Sequence, residues 1–561
     1  MGKGARPVYV ADIPSRQGGR HYHTILLRES YREGGKVRNR TIANLTGCKP
    51  AEIEAIRYAL AHKNELEAIA LAVGQQAAGC VRLEEGQSVG ALWCAYDVAR
   101  QVGIERALGS ERQGRLALWQ VLARLIGQGS RLAAVRLAQT HCACDVLGID
   151  QGFCEDDLYD NLGWLEEHQE EIEQALFSAR RRGAPRLFLY DVTSSYLEGT
   201  RNELGDWGYN RDKKKGKQQI VIGLLCDEEG EPVSVEVFRG NTQDLKTFGS
   251  QVKKVAERFG CERVTLVGDR GMIKSAQVND LQRAGFHFIT AITKAQIRVL
   301  LNEGVLQMEL FDDNVCEVDC GTVRYIVRRN PRRAEDLRDL RERRQASVAE
   351  LAANQTRYLA EHPRARVETA RNKVREKIQR LDVDAWLGVE AQGRRLELRV
   401  DEAAREHLAS LDGCYVLQSD VPAEAANVAT LHDRYKDLTL VEQAFRTCKT
   451  AHLEVRPVYV RTEEHTRGHV LVVMLAYLIV RRLHRAWASM DLTVEEGLRQ
   501  LATLSTMKVR GPGQCATAYQ IPRPRETSRQ LLELANVRLP EALPCRGTRV
   551  VTRTRLPKRR K

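Results

Sequence analysis

The chain has 561 residues, more than a single ordinary domain contains, and this length predicts about three or four domains. Hydrophobic residues make up 43% and charged residues 29%, a balance that excludes a disordered or membrane-embedded chain and indicates a folded globular protein. Lys and Arg number 87 against 74 Asp and Glu, and the resulting charge of +13 favours a polyanionic partner, although any basic protein shares it.

Targeting signals and cysteine spacing bear on the cellular compartment and on disulfide or zinc sites. The longest apolar run, Val470–Val480, is too short to span a membrane, and the amino terminus lacks the apolar core of a secretion signal. We therefore expect a cytoplasmic protein with no membrane partner. The 14 cysteines include no Cys-x-x-Cys pair, so neither a disulfide framework nor a zinc ribbon is expected. The cluster His141–Cys144 is interpreted as helix-end packing rather than a metal site.

Residues 1–50 predict a small β region, and residues 51–184 predict helices. A β-prone run from Tyr22 to Leu27 precedes the turn pair Gly34-Gly35, which indicates a hairpin. Pro50 suits a helix start, and apolar residues then recur at helical spacing to about Arg182. A plain helical bundle and a DNA-recognition region fit this second segment equally well, and both interpretations stay open.

At Pro185 the helical spacing gives way to short apolar runs. The predicted order is strand, hairpin, helix, strand, helix, strand, formed by Leu187–Tyr190, Ile220–Leu225 with Val233–Phe238, Thr242–Phe259, Val264–Val267, Ser275–Ala284 and Phe286–Ile292. This order over residues 185–293 predicts a mixed α/β sheet. Catalytic groups in such sheets gather at strand ends.

Residues 294–430 differ again and predict an inserted subdomain. They contain the basic run Arg328–Arg333, a long charged helix through Arg344, and alternating apolar residues from Leu396 to Val400. Helical spacing returns over residues 431–490. The C-terminal region, 491–561, ends in a stretch from Arg546 to Lys561 that is rich in Arg and Lys, and we expect it to be a flexible basic tail.

Three acidic residues lie where an acid is hard to explain as structure. Asp191 follows the run Leu187–Tyr190, Asp269 follows Val264–Gly268, and Glu442 lies among apolar residues of a helix. Carboxylates at the rim of buried elements lose hydration and repel one another if they converge, and a shared hard divalent cation resolves both costs. Two Mg²⁺ ions held by such carboxylates activate a nucleophile and stabilise the leaving oxygen of a phosphodiester. We expect Asp191, Asp269 and Glu442 to be both catalytic and metal-binding.

The helix around Glu442 is predicted to present one functional face. Tyr435, Leu438, Glu442, Arg446 and Lys449 follow one another at steps of three or four residues. Arg446 and Lys449 suit phosphate oxygens, and the Tyr435 hydroxyl suits another. An exposed ion pair between Glu442 and Arg446 is the alternative for these two residues.

These residues also carry a family resemblance, which covers most of the chain. The segments concerned are Asp191-Val192-Thr193, Gly208–Asp212, Gly240-Asn241-Thr242-x-Asp244, Asp269-Arg270-Gly271-Met272, Tyr435-x₆-Glu442-x₆-Lys449 and Arg461–His469. Together they resemble bacterial insertion-sequence transposases with a DDE catalytic domain, in the subgroup whose last catalytic helix carries a Tyr-Arg-Glu-Lys signature.

The resemblance implies an α/β fold with an RNase H-like mixed sheet and helices on both faces. The catalytic domain would comprise residues 185–293 and 431–490, the segment 294–430 would be a β-rich insertion before the last catalytic helix, and the helical region 51–184 would bind transposon ends. The implied reaction is Mg²⁺-dependent hydrolysis at the element ends, leaving a 3′-hydroxyl that attacks target DNA; two ions would take part, and Mn²⁺ would substitute. The implied partners are double-stranded DNA and further copies of the chain, in a dimer or larger assembly at the nucleoid.

One position departs from the signature. Leu438 stands where the subgroup has Arg, so one phosphate donor is missing, and Lys436 or Arg446 are the expected replacements. Arg270 is expected to contact DNA or to pair with an active-site acid. Asp244 is expected to cap the following helix rather than to support the site. Trp207, Trp386 and His469 are expected to be packing residues before any functional role.

Two other functions remain open from the sequence. One is an RNase H-like nuclease without strand transfer, which differs in its products. The other is a DNA-binding derivative that has lost catalysis, which the Leu438 replacement favours and the presence of all three acids disfavours.

Overall fold

The computed structural model describes residues 8–17, 20–61, 82–180, 185–212, 214–262, 264–270, 272–450, 452–457, 459–510 and 518–553. The chain divides into two compact units. The first unit comprises Met1–Gln87, Ser505–Arg523 and Leu539–Cys545, and the second comprises Ser88–Leu504, Pro524–Arg538 and Arg546–Lys561.

The strands are β1 Val8–Gln17, β2 Arg20–Glu33, β3 Lys36–Asn44, β4 Arg82–Ser88, β5 Leu187–Tyr196, β6 Gln219–Asp227, β7 Pro232–Arg239, β8 Thr265–Gly268, β9 His287–Ala291, β10 Cys316–Asp319, β11 Arg324–Arg329, β12 Leu387–Gln392, β13 Arg395–Val400, β14 Cys414–Ser419, β15 Ser505–Arg510, β16 Ala518–Gln520 and β17 Ala542–Pro544. The helices are α1 Pro50–Ala61, α2 Gly90–Gln101, α3 Ile104–Leu108, α4 Arg112–Ile126, α5 Arg131–Thr140, α6 Ala143–Leu147, α7 Glu155–Glu167, α8 Gln169–Ser178, α9 Asp244–Lys253, α10 Ser275–Arg283, α11 Lys294–Asn302, α12 Pro331–Glu361, α13 Val367–Arg380, α14 Glu402–Ala409, α15 Val428–Lys436, α16 Leu438–Lys449, α17 Glu463–Ala486, α18 Val494–Ala502 and α19 Glu526–Leu534.

The first unit contains two small sheets. β1, β2 and β3 form an antiparallel sheet, in which Gly34 and Gly35 make the predicted turn with φ of 59° and 78°. The hairpin is confirmed, and β1 is an additional strand that the sequence pattern did not predict. The second sheet has the order β17-β16-β15-β4 and joins segments from both ends of the chain.

The second unit is built around an eight-stranded sheet with the order β10-β11-β14-β9-β8-β5-β6-β7. β5 runs antiparallel to β6 and parallel to β8, and β8 runs parallel to β9, so the sheet is mixed as predicted. Phe188, Tyr190 and Val192 of β5 point into an apolar core with α9 and α10 on one face. α15, α16 and α17 pack on strands of the same sheet.

One boundary inside this sheet differs from the expectation. Asp191 was predicted to end its strand, but β5 continues to Tyr196, so this residue lies inside the strand. The apolar run stops at Tyr190 because only that half of β5 has neighbours on both edges; its parallel partner β8 ends at Gly268. Asp269 does follow the end of its strand, as predicted.

The expectation of a β-rich segment at 294–430 is wrong. Its largest elements are helices, α12 with 31 residues and α13 with 14, whereas each strand of the hairpin β12–β13 has six. These four elements enclose a core of their own that includes the buried Trp386. β10, β11 and β14 from the same segment extend the large sheet beyond β9. Alternating apolar residues revealed the hairpin, but charged residues on the long helices concealed how much of the segment is helical.

The end of the chain also differs from the expected flexible tail. Arg546 pairs with Asp150, Arg553 pairs with Asp156, and the Thr548 hydroxyl donates to a backbone carbonyl in the α6–α7 region. Acidic residues in the loop before α7 and in its first turn therefore bind this basic stretch. The prediction for residues 554–561 lies outside the described residues. In the described part of the chain, no helix has the combination of length and apolar character needed to cross a bilayer.

Candidate active site

Strand register brings two of the predicted acids together. Tyr190 of β5 pairs with Gly268 of β8, so Asp191 and Asp269 occupy the next positions on adjacent parallel chains. Neighbouring strands lie about 4.8 Å apart, so the two side chains start from adjacent backbone positions. Because Tyr190 and Val192 face the α9–α10 core, Asp191 faces the opposite side of the sheet, where α16 packs.

The Asp191 carboxyl is in an unfavourable setting for a charge. Burial, together with the negative charges of Asp269 and Glu442, raises its pKa to about 7, while the Val192 backbone N–H and the Arg211 guanidinium favour the ionised form. The Val192 amide donates to Oδ1 at 2.7 Å. A cation at this position would offset the lost hydration and the repulsion together.

Glu442 reaches the site from α16, and the predicted helical face is found in part: Tyr435, Leu438 and Glu442 line one cavity, whereas Arg446 and Lys449 do not. The helix is interrupted at Asp437, so Tyr435 and Lys436 end α15, whereas Glu442 belongs to α16. Leu438 is buried, while Glu442 is exposed on the cavity side. The Tyr435 hydroxyl donates to Asp269 Oδ1 at 3.1 Å, so in this structure it contacts a carboxylate of the site.

The three acids line one cavity of about 540 Å³, called here the carboxylate cavity. Four basic residues also line it: Arg270, Lys294, Arg333 and Lys436. Arg270 and Lys436 were predicted. Lys294 and Arg333 were missed, because nothing in their local sequence shows that β14 and β11 fold the segment after β9 back beside the carboxylates.

The other predicted residues lie farther along the site or outside it. Lys449 is two turns beyond Glu442 and binds Asp212 at 2.8 Å, and Arg446 is exposed; neither lines the carboxylate cavity. Asp244 was expected to cap its helix, but the structure shows no such cap, and Asp244 instead pairs with Arg211 at 2.7 Å. The charge of Arg211 favours ionised Asp191, so Asp244 is linked to the carboxylates through Arg211.

Two of the predicted packing residues have different outcomes. Trp386 is buried, as expected. Trp207 is 57% exposed in the loop between β5 and β6, so packing does not explain it.

The three carboxylates share a cavity without being grouped as metal ligands. Within the described ranges, no three His, Cys, Asp or Glu side chains are grouped so that they would hold a metal ion. The donor chemistry nevertheless fits a hard cation, because three carboxylates face one cavity and burial disfavours the charge of one of them.

Comparison with known families identifies the chain. The model for the transposase DDE domain matches residues 182–479, which is more than half of the chain. The model for the IS1634 family transposase N-terminal domain matches residues 11–74. The chain therefore belongs to the insertion-sequence transposases with a DDE domain.

Other comparisons add less. A solved structure similar to this chain is described as a piggyBac transposase synaptic complex with hairpin DNA; the similarity covers 73% of this chain and 75% of that one, at 9% identity and a TM-score of 0.36. A TM-score at this level is too low to infer a common fold. No curated protein matches the chain.

Proposed function

We propose that this transposase cuts DNA at the ends of its element with Asp191, Asp269 and Glu442, and then joins the freed 3′ end to target DNA. The observation that carries the proposal is the carboxylate cavity, which collects three acids from positions far apart in the sequence and surrounds them with basic residues. Carboxylates bind a divalent cation, and the basic side chains beside them bind the phosphates of a polyanionic substrate.

An RNase H-like fold for the catalytic domain belongs to the same proposal. Numbered from β5, the sheet segment β7-β6-β5-β8-β9 has the order 3-2-1-4-5, with the first three strands antiparallel and the last two parallel to the first. The proposed domains are residues 185–293 with 431–490 for catalysis, 294–430 as an insertion, and 51–184 for binding transposon ends, flanked by regions 1–50 and 491–561.

Asp191, Asp269 and Glu442 would hold two Mg²⁺ ions, for which Mn²⁺ would substitute. When bound, the ions supply Lewis-acid stabilisation of the phosphodiester oxygens and acidify the attacking group. The Tyr435 hydroxyl orients Asp269 through its 3.1 Å hydrogen bond. Arg270, Lys294, Arg333 and Lys436 bind phosphates of the strand beside the carboxylates. Lys436 thereby supplies the phosphate contact that is missing because Leu438 stands where the subgroup has Arg.

The experiment uses DNA that carries the ends flanking this gene. Asp269→Asn and Glu442→Gln should each lower Mg²⁺-dependent cleavage more than about 100-fold and leave DNA binding intact, because each removes a ligand charge without changing size. Glu424→Gln is the matched control, since this acid is exposed and does not line the carboxylate cavity. Unchanged cleavage in either active-site variant would remove that residue from the mechanism.

Products decide between the remaining alternatives. A transposase joins the liberated 3′ end to a second duplex, whereas a nuclease without strand transfer releases only cut ends. Tight binding to the element ends without cleavage in either Mg²⁺ or Mn²⁺ would indicate an inactive DNA-binding derivative. We also propose that two or more copies act together on two ends, which the mass of the DNA complex would show.

A further inference from the structure

A second cavity, about 320 Å³ in volume, lies between α4, the start of α5 and the segment that precedes α17. Its lining includes Arg124, Arg131, Arg456, Glu454 and His469, so we call it the arginine cavity. Three guanidinium groups and one carboxylate face it, and none of these residues belongs to the carboxylate cavity.

Two of these arginines are almost fully buried. Arg124 is 6% exposed and Arg131 is 5% exposed. The Arg124 side chain donates to the Gly129 carbonyl, and Arg131 donates to the Gln120 side chain. Over the part of the chain that the structure describes, neither forms an ion pair. A buried charge is normally paired, because burial without a partner costs several kcal/mol.

The carboxylate of the cavity compensates only in part, because the charge of Glu454 favours the protonated Arg124 guanidinium without forming an ion pair with it. Glu454 is held by Arg456, with hydrogen bonds of 2.7 and 3.0 Å from one guanidinium. Burial lowers the pKa of Arg124 to about 10, and burial together with the positive charge of Arg124 lowers the pKa of Arg131 to about 9. Both groups therefore stay charged at neutral pH.

The His469 imidazole also lines the arginine cavity. It is 3% exposed, and burial keeps its pKa well below the ordinary value, so the ring is neutral. Arg131 approaches Nδ1 at 3.4 Å, and because a guanidinium only donates, Nδ1 accepts and the proton is on Nε2. Nε2 is buried and has no partner with hydrogen-bond geometry, while the backbone of Val455 and Glu454 is close enough to the ring to favour its protonated form. Sequence analysis expected a satisfied, partly buried imidazole; the ring is buried, and Nδ1 has a partner in Arg131.

The surroundings favour one class of anion. α5 begins at Arg131 with Ser130 as its cap, so the positive end of the helix dipole adds to the two arginines. Tyr459, which is 60% exposed, lines the same cavity and offers an aromatic face beside the charge. Buried arginines with an exposed aromatic ring match a nucleotide, whose phosphate and base need these two contacts.

We infer that the arginine cavity binds a backbone phosphate of a DNA strand through Arg124, Arg131 and His469, with Tyr459 against the adjoining base or sugar. The phosphate chemistry stands on the cavity itself, and the choice of DNA as its source rests on the proposed function. This site would hold DNA at the helical region and take no part in the chemistry at Asp191.

The test compares full-length wild type with Arg131→Met and Arg124→Met, which remove the charge and keep an apolar stem. Arg136→Met is the matched control, because Arg136 is exposed on the same helix. The first measurement is thermal melting in inorganic phosphate against potassium chloride at equal ionic strength. Wild type and Arg136→Met should gain stability from phosphate, and the other two variants should not.

The second measurement is binding of element-end DNA across salt concentrations. Arg131→Met should weaken binding about tenfold and reduce the slope of log affinity against log salt by about one. A phosphate effect without any change in this slope would overturn DNA as the ligand source and assign free phosphate. If phosphate stabilises wild type no more than chloride does, and the variants bind DNA normally, the inference is wrong. Cleavage by Asp269→Asn tests the proposed function separately, because phosphate binding at this cavity does not depend on it.

Discussion

Replacing Asp191 by Asn should stabilise the metal-free protein, and by more at pH 8 than at pH 5. The amide keeps the size of the carboxyl and can still accept from the Val192 N–H, but it carries no charge. The pKa of Asp191 is about 7 in the folded protein against an ordinary value of 3.8. As pH rises from about 4 to about 7, the unfolded chain therefore loses its proton while the folded protein retains it, and the wild type loses stability.

The size of this effect follows from the pKa difference. At about 1.4 kcal/mol per pKa unit, the wild type loses at most about 4 kcal/mol above pH 7 and about 1.5 kcal/mol at pH 5. Melting temperatures in EDTA at the two pH values measure the difference, which should be a few degrees. Mg²⁺ should stabilise wild type and have little effect on the variant. Glu424→Gln is the control, because Glu424 is exposed and does not line the carboxylate cavity, so its replacement should leave the melting temperature in EDTA nearly unchanged. A gain that is equal at both pH values, or a loss at pH 8, would refute the reasoning.

Two further changes test other contacts. Tyr435→Phe removes the hydrogen bond to Asp269, so cleavage should fall about tenfold and require more Mg²⁺, while DNA binding should be unchanged. Cleavage kinetics measured across Mg²⁺ concentrations test this. An unaltered Mg²⁺ dependence would show that the contact is incidental. Gly223→Ala would place a Cβ 2.3 Å from the buried Tyr190 hydroxyl and should cost about 1–3 kcal/mol in unfolding experiments, whereas Gly199→Ala, with nothing within 4 Å, should cost little; equal melting of the two variants would contradict this packing.

The sequence pattern predicted the centre of the large sheet well. Apolar runs identified β5 to β9, because buried strands carry such runs whatever their neighbours are. The end of β5 was missed because its second half pairs on one edge only. The addition of β10, β11 and β14 to the sheet depends on pairing between distant segments, as between Leu417 and Ala291, and no local pattern records that.

The candidate site divides in the same way. Asp191, Asp269 and Glu442 stood out because an acid beside apolar residues is unusual, and the structure brings all three to one cavity. Their catalytic role stays a prediction. The pairing of Arg131 with His469 joins residues 338 positions apart, and each residue alone looks ordinary in the sequence.

The extension of the large sheet past β9 restricts the movement of one wall of the carboxylate cavity. The wall that carries Lys294 and Arg333 adjoins β11 and β14. β14 is hydrogen-bonded to β9 and β11 to β14, so backbone hydrogen bonds connect this wall to the strands next to Asp269. Swinging that wall open would break several such bonds at once. Under the proposed function, this wall is a fixed surface beside the bound DNA and not a segment that closes over it, so substitutions of Lys294 or Arg333 would change DNA binding without displacing the three acids.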